Sequence, residues 1–296
     1  VTLVRDLDPQ SELVRRDYLR FTSVVNGCLE DYRSVERAIT EYEIEVVFHL
    51  GAQTIVTVAN RSPLFTLESN IRGSYNLLEA CRVHHDLIKA VIIASSDKAY
   101  GESKVLPYTE GLPLQGRHPY DVSKSCADLL ATAYYTTYSV PIGIARCGNT
   151  YGGGDLNWTR LIPGTIRSLL AGERPVIRSD GQFIRDYVYV KEIVGAYLSL
   201  AEAVWQGKAC GQAFNFSSQK PHTVLEVVAA IRSLMHREDL EPVILNSVHG
   251  EIHDQILDSS KAQALLGWQA AYSLDEGLGE TIKWYEEYLD ARSKAG

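Results

Sequence analysis

No apolar run in these 296 residues approaches the ~18 that a membrane-spanning helix needs. Basic clusters and basic-aromatic stripes are also missing. The 29 Lys and Arg are outnumbered by 37 Asp and Glu, for a formal net charge of −8. Nucleic acid and membrane are therefore not expected partners. Cysteine is scarce: Cys28, Cys81, Cys126, Cys147 and Cys210 are odd in number, scattered, and form no CxxC. That pattern offers neither a disulfide framework nor a zinc site, and no metal is expected. A reducing, cytoplasmic setting fits it, and no signal-peptide pattern opens the sequence. Absent too is any GxGxxG-like or GxxGxxG-like segment ahead of a helix; Gly152, Gly153 and Gly154 precede Asp155 in another context.

What is present is a regular alternation. Residues 1–4, 20–25, 46–51, 90–95, 142–147 and 213–217 read as strands. Residues 32–41, 67–84, 122–138, 160–171, 193–203, 224–234, 260–266 and 276–291 read as helices. Short apolar runs between helices predict a parallel sheet covered on both faces. The expected fold is α/β, doubly wound and Rossmann-like, with a smaller mixed α/β C-terminal lobe. Residues 1–148 are expected to form the dinucleotide-binding part, completed by parts of 185–217. Residues 149–296 are expected to form mainly the substrate lobe, with hairpin character around Asp180-Gly181. A fold of this kind opens with a strand, a glycine-rich turn and a helix that holds a pyrophosphate. The chain begins as if at the second strand, so a βα unit of roughly 25–30 residues is expected upstream.

Ligands bind such sheets at the carboxyl ends of the strands. Residues 49–54, 95–101 and 146–154 fall there. Tyr120 and Lys124 stand four apart in HPYDVSKSCADLL, on one face of a helix. A nearby ammonium favours a phenolate, so Lys124 is expected to lower the Tyr120 pKa and make it a base. Ser96, Asp97 and Lys98 add a hydroxyl, a carboxyl and an amine within reach of the same substrate. The set suits proton removal from a carbinol, as hydride transfer to a nicotinamide requires. His49 reads as a packing residue. Leu50, Gly51, Ala52 and Gln53 are expected to line the cofactor, with Gly51 allowing close backbone approach. Arg5 and Asp6 end the first strand. An Arg there accepts a 2′-phosphate and an Asp binds a 2′-hydroxyl, which leaves NADP and NAD both open. Cys28 and Leu29 are placed beside the adenine. Asn70 is either a satisfied buried amide or an organiser of the cofactor site. Arg185 suits bidentate phosphate contact, or else pairs with Asp186.

These residues name a family. HLGAQ (49–53), ESNIRGSYNLLEAC (68–81), SSDKAYG (95–101), PYDVSK (119–124), RCGNTYGGGD (146–155), RDYVYVKE (185–192) and AFNFSS (213–218) occur in order over nearly the whole chain. Together they resemble the extended short-chain dehydrogenase/reductases that act on nucleotide sugars. The Asp97-Lys98 pair and GGGDLNWTRLIP (152–163) are most similar to the CDP-glucose 4,6-dehydratase-like group. Many related dehydratases have Asp-Glu at this turn, so Lys98 is a departure.

The resemblance implies NAD as cofactor, with Ser95, Asn70, Tyr120 and Lys124 among its contacts. It implies a nucleotide-diphosphate sugar as substrate, with Asn149 and Arg185 at the diphosphate, and a homodimer built on the helices of Asn70 and Tyr120. Asp155, Asn157 and Arg160 are further substrate-binding candidates. Tyr120 is then the base at the 4-hydroxyl, Ser96 its hydrogen-bonding partner, Asp97 the acid at the 6-hydroxyl. Lys98 is either the base at C5 or a stabiliser of the enolate. The implied reaction converts CDP-glucose to CDP-4-keto-6-deoxyglucose. The alternatives are a 4-epimerase on the same fold, or a nucleotide-sugar-binding protein without turnover.

Overall fold

The computed structural model of the protein describes residues 1–247 and 252–293. Its strands are β1 (Thr2–Val4), β2 (Val24–Asn26), β3 (Val46–His49), β4 (Ala90–Ala94), β5 (Ile142–Cys147), β6 (Asn149–Tyr151), β7 (Val176–Ile177), β8 (Ile184–Tyr189), β9 (Gln212–Phe216), β10 (Pro221–Thr223), β11 (Val243–Ile244) and β12 (Asp254–Gln255). The main sheet has the order β3-β4-β5-β9, all parallel. β1 and β2 form a separate parallel pair.

The expected α/β architecture is present, and β4 shows why its sequence reads as one apolar run. Alternate side chains of a strand point to opposite faces. Val91 and Ile93 enter a core with Val35, Ile39, Leu78, Cys81 and Ala131. Ala90 and Ile92 enter the opposite core with Ala196, Leu200, Val204 and Trp268. Both faces are dry because helices Tyr32–Glu41, Gly73–Val83 and Pro119–Tyr138 cover one side and Val190–Trp205 the other. A third core, with Tyr151, Ile166, Leu169, Val227, Ile231, Ile282 and Tyr285, belongs to the C-terminal residues.

Helix ends follow local chemistry. Asp31 caps Tyr32–Glu41 by accepting from the Arg33 amide. Thr223 and Glu226 form a capping box at Val224–Leu234. Pro119 opens the long helix at its first position, and Ser139 closes it in the left-handed region at φ 58°.

Three expectations need correction. The hairpin around Asp180-Gly181 does not form. β7 pairs with β11, while β8 lies between β10 and β12 and also pairs β6. Gly181 does turn the chain, at φ +87°, but the strands it separates find long-range partners instead. Residues 20–25 are not one strand: Tyr18–Phe21 is a 3-10 turn and only β2 extends. The helix expected over 67–84 begins with a π turn, Glu68–Arg72, before the α-helix Gly73–Val83.

One buried polar network ties these parts together. Asp128, on the long helix, takes a fork from Arg146 on β5, Nε to Oδ2 at 2.8 Å and Nη2 to Oδ1 at 2.9 Å. Ser95, just past β4, donates to the same carboxylate at 2.9 Å. Arg146 Nη1 donates to the Tyr100 hydroxyl at 2.9 Å, and that hydroxyl donates to Asn215 of β9 at 2.7 Å. Replacing Arg146 by Met would strand a buried carboxylate. The expected loss is about 3–5 kcal/mol in urea denaturation. The double change Asp128→Leu with Arg146→Met should lose clearly less, because no uncompensated charge remains. Equal losses would contradict this account.

Candidate active site

The turn after β4 is built from its own side chains. Ser96 is the N-cap of the 3-10 turn Asp97–Tyr100, accepting from the Lys98 amide at 3.2 Å. Its hydroxyl donates to Asp97 Oδ1 at 2.9 Å. Asp97 is only 3% exposed, and its Oδ2 is buried with no hydrogen-bond partner among the described residues. A buried carboxylate oxygen without a partner is expensive and marks a place where a ligand group belongs. The Lys98 amine donates to Gln255 Oε1, and Gln255 Nε2 donates to the Asp97 carbonyl at 3.1 Å.

Tyr120 and Lys124 project from the first turns of helix Pro119–Tyr138 onto this turn. Lys124 Nζ donates to the Ala94 carbonyl at 2.7 Å and lies 6.0 Å from the Tyr120 ring centroid. Ser96 lies near enough to the Tyr120 phenol to favour its ionised form. Ser96, Asp97, Lys98, Tyr120 and Lys124 are thus brought together as expected.

Their electrostatics differ from the expectation. Burial, then the Asp97 charge, raise the Tyr120 phenol well above the ordinary tyrosine range, against Ser96 and Arg160. Burial instead lowers Lys124 to about 8. The ammonium expected to acidify Tyr120 is itself disfavoured, and its hydrogen bond is spent on Ala94. Burial also raises the Asp121 carboxyl, opposed by Lys98 and His118.

The residues expected to line the cofactor are held by a second set of bonds. Asn70 lies in the π turn, 2% exposed. Its Nδ2 donates to Ser123 Oγ at 2.9 Å and to the Gln53 carbonyl at 3.0 Å, while its Oδ1 accepts from the Gln53 amide at 2.7 Å. Ser123 Oγ in turn donates to the Tyr120 carbonyl at 2.7 Å. Asn70 is therefore both a satisfied buried amide and a clasp between the loop 50–53 and the helix of Tyr120. His49 packs as expected: it bonds Ser74 at 3.0 Å, and burial, then Lys124, push its imidazole down to about 3.

Gly51 and Gly73 both admit Leu29. An added Cβ at either would lie 2.8 Å and 2.7 Å from Leu29 atoms. The close approach at Gly51 is thus made by a side chain of this protein. Leu50 and Ala52 flank it in the loop, and Cys28 is half-buried beside Leu29. Arg5 and Asp6, just past β1, are exposed and paired with each other at 2.5 Å.

Among the substrate candidates, Asn149 has a buried Nδ2 without a partner among the described residues. Arg160 donates to Asp155 at 2.9 Å and to Thr54 at 3.3 Å, and its charge reaches Tyr120. Asn157 Oδ1 folds back to Thr159. Arg185 is 8% exposed and donates to the carbonyls of Ile184, His253 and Ile252 at 2.8, 2.7 and 2.5 Å. The alternative Arg185–Asp186 ion pair does not form, because Asp186 is taken by Ser217, Ser218 and the Leu257 amide. Gln255 is not legible as a site residue: it meets Lys98 and Asp97 from far along the chain, with no local motif to announce it.

The profile of the GDP-mannose 4,6 dehydratase family matches residues 8–281. The chain belongs to this family. It is 31% identical to the CDP-glucose 4,6-dehydratase of Salmonella typhimurium over 291 residues, covering 94% of this chain and 80% of that protein. Among solved structures it is similar to the dTDP-glucose 4,6-dehydratase of Bacillus anthracis, determined in complex with NAD. That likeness has a TM-score of 0.81 and 26% identity, over 93% of this chain and 84% of the other. It is also similar to the UDP-glucose 4-epimerase of Thermotoga maritima, determined with UDP-glucose, at TM-score 0.85 and 29% identity, over 91% and 86%. As a family member, then, the chain shares a frame with both dehydratases and epimerases.

Lys124 gives a prediction that needs no substrate. Below pH 8 the fold carries a buried ammonium, whereas the unfolded chain holds an ordinary lysine near 10.5. Burial then costs about 3 kcal/mol. Between those pH values the unfolded chain binds the proton and the folded chain does not, so stability rises with pH. Lys124→Met is expected to be more stable than wild type at pH 7 by up to about 3 kcal/mol, with the gap narrowing toward pH 10. Urea denaturation at several pH values measures it; a gap that ignores pH would contradict the depressed lysine.

Proposed function

We propose that the protein is a nucleotide-sugar 4,6-dehydratase that converts CDP-glucose to CDP-4-keto-6-deoxyglucose and water. The observation that carries the reading is the buried, unpartnered Asp97 Oδ2 beside Ser96, Lys98, Tyr120 and Lys124. A 4-epimerase needs a base at the 4-hydroxyl but no acid for a departing 6-hydroxyl. The similarity to the Salmonella enzyme supports CDP-glucose as the substrate.

NAD fits the residues present in part. Lys124 and Tyr120 suit the ribose and nicotinamide end, and the Asp6 carboxylate at the end of β1 suits an adenosine 2′-hydroxyl. Cys28, Leu29, Leu50, Gly51, Ala52, Gln53, Asn70 and Ser95 are the remaining proposed neighbours. The dehydratase structure that holds NAD supports NAD over NADP. When bound, NAD supplies the acceptor for the C4 hydride and its donor to C6.

The chain's own groups handle the protons. Tyr120 takes the 4-hydroxyl proton, and Ser96 shares a hydrogen bond with that oxygen. The 4-keto group acidifies the C5 proton, and Lys98 acts there. Asp97 gives a proton to the 6-hydroxyl, which leaves as water. Asn149, with its unsatisfied amide, and Arg160 are proposed to meet the substrate, with Asp155, Asn157 and Arg185 around them. Residues 1–148 with parts of 185–217 form the proposed dinucleotide-binding unit, and 149–296 mainly the substrate lobe. Exposed Tyr75, Leu129 and Tyr138 on helices Gly73–Val83 and Pro119–Tyr138 support a homodimer through these helices. Five free thiols support a cytoplasmic setting.

Incubation with NAD and CDP-glucose in heavy water tests the reading. The expected product is a 4-keto-6-deoxy sugar with solvent deuterium at C5. A 4-epimer without that label would establish the epimerase instead, and no turnover of CDP-, dTDP- or UDP-glucose would favour binding alone. Tyr120→Phe is expected to abolish the absorbance of reduced nicotinamide in a single turnover; its normal appearance would refute Tyr120 as the base.

A further inference from the structure

We propose that Gln255 is the positioning residue for Lys98, holding it as a donor so that Lys98 stabilises the enolate while a water molecule, rather than Lys98, accepts the C5 proton. The inference rests on the dehydratase reading for its chemistry, but its geometry stands alone. Gln255 is fully buried, and both ends of its amide are engaged. Its Oε1 accepts from the Lys98 amine, and its Nε2 donates to the Asp97 carbonyl at 3.1 Å. The polarity is fixed by both contacts at once. A flipped amide would set its NH2 against the Lys98 amine and its oxygen against a carbonyl, two repulsive contacts in place of two bonds. An amide oxygen is a stronger partner for an ammonium than for a neutral amine. Gln255 therefore favours the form of Lys98 that offers positive charge and N–H to a developing oxyanion.

The support for Gln255 is rigid. β12 pairs in register with β8, Gln255 opposite Arg185. The neighbouring Ile256 carbonyl accepts from the Tyr108 amide at 2.7 Å, and the Asp258 amide donates to the Tyr108 carbonyl at 2.9 Å. Main-chain bonds thus place residue 255, so removing its side-chain polarity alters Lys98 without dissolving the strand.

The test has one arm without substrate. Wild type, Gln255→Leu and Gln255→Glu are acetylated with an N-hydroxysuccinimide ester, and labelling at Lys98 is followed by peptide mass spectrometry against Lys89 and Lys104. Gln255→Leu should label Lys98 about tenfold faster, the weight of one hydrogen bond to a charged group. Gln255→Glu keeps an acceptor for the amine, although its second oxygen faces the Asp97 carbonyl, and should label Lys98 no faster than wild type. Equal labelling in all three overturns the proposal, whatever the protein's reaction. The second arm reads catalysis. With CDP-glucose and NAD, Gln255→Leu should form reduced nicotinamide at the wild-type rate while 4-keto-6-deoxy product falls about tenfold in kcat with KM little changed. Full product formation by Gln255→Leu would overturn the catalytic half of the proposal. Wild type without any turnover would instead overturn the dehydratase reading and leave the labelling result to judge Gln255.

Discussion

The buried Asp128–Arg146 ion pair is the constraint on which the site depends. Neither partner can be solvated, at 1% and 6% exposed, so each must satisfy the other and its neighbours in one geometry. The fork joins the long helix to β5. Ser95 and Tyr100, the residues on either side of the Ser96-Asp97-Lys98 turn, are both bonded into the same network. The turn is thereby pinned at both ends by groups that do no chemistry. Its short internal bonds, Ser96 to Asp97 and to the Lys98 amide, need only orient three side chains on a fixed base. This arrangement separates the stability of the frame from the reactivity of the turn.

Burial sets the reactivity, and it acts on opposite charges in opposite directions. Tyr120 is raised and Lys124 lowered, so both are pressed toward their neutral forms. The Asp97 charge adds to the resistance at Tyr120, so the two groups are coupled through one electrostatic contact.

The sequence reveals this fold wherever a segment's pattern has only one physical solution. The run AVIIA can only be a strand buried on both faces, and PYDVSK with its proline at the first position can only open a helix. Pattern fails where partners are distant. Asp180-Gly181 carries a good turn signal, yet β7 and β8 pair with β11, β10, β12 and β6, which no local rule anticipates. The π turn at Glu68–Arg72 is invisible to a helical period, although it places Asn70 where one side chain reaches both Gln53 and Ser123. The Tyr120 shift is mispredicted for a related reason. Spacing reveals which charges are neighbours, but not how much water is excluded around them.

Arg185 illustrates how the protein's own main chain can engage a motif residue. RDYVYV invites a phosphate contact at its arginine, but the guanidinium here grips main-chain carbonyls of Ile184, His253 and Ile252. Two of those carbonyls lie on the approach to β12, whose Gln255 holds Lys98. Arg185 and the Gln255 amide that holds Lys98 therefore share one short stretch of main chain as support, and the position of the turn is tied to that stretch.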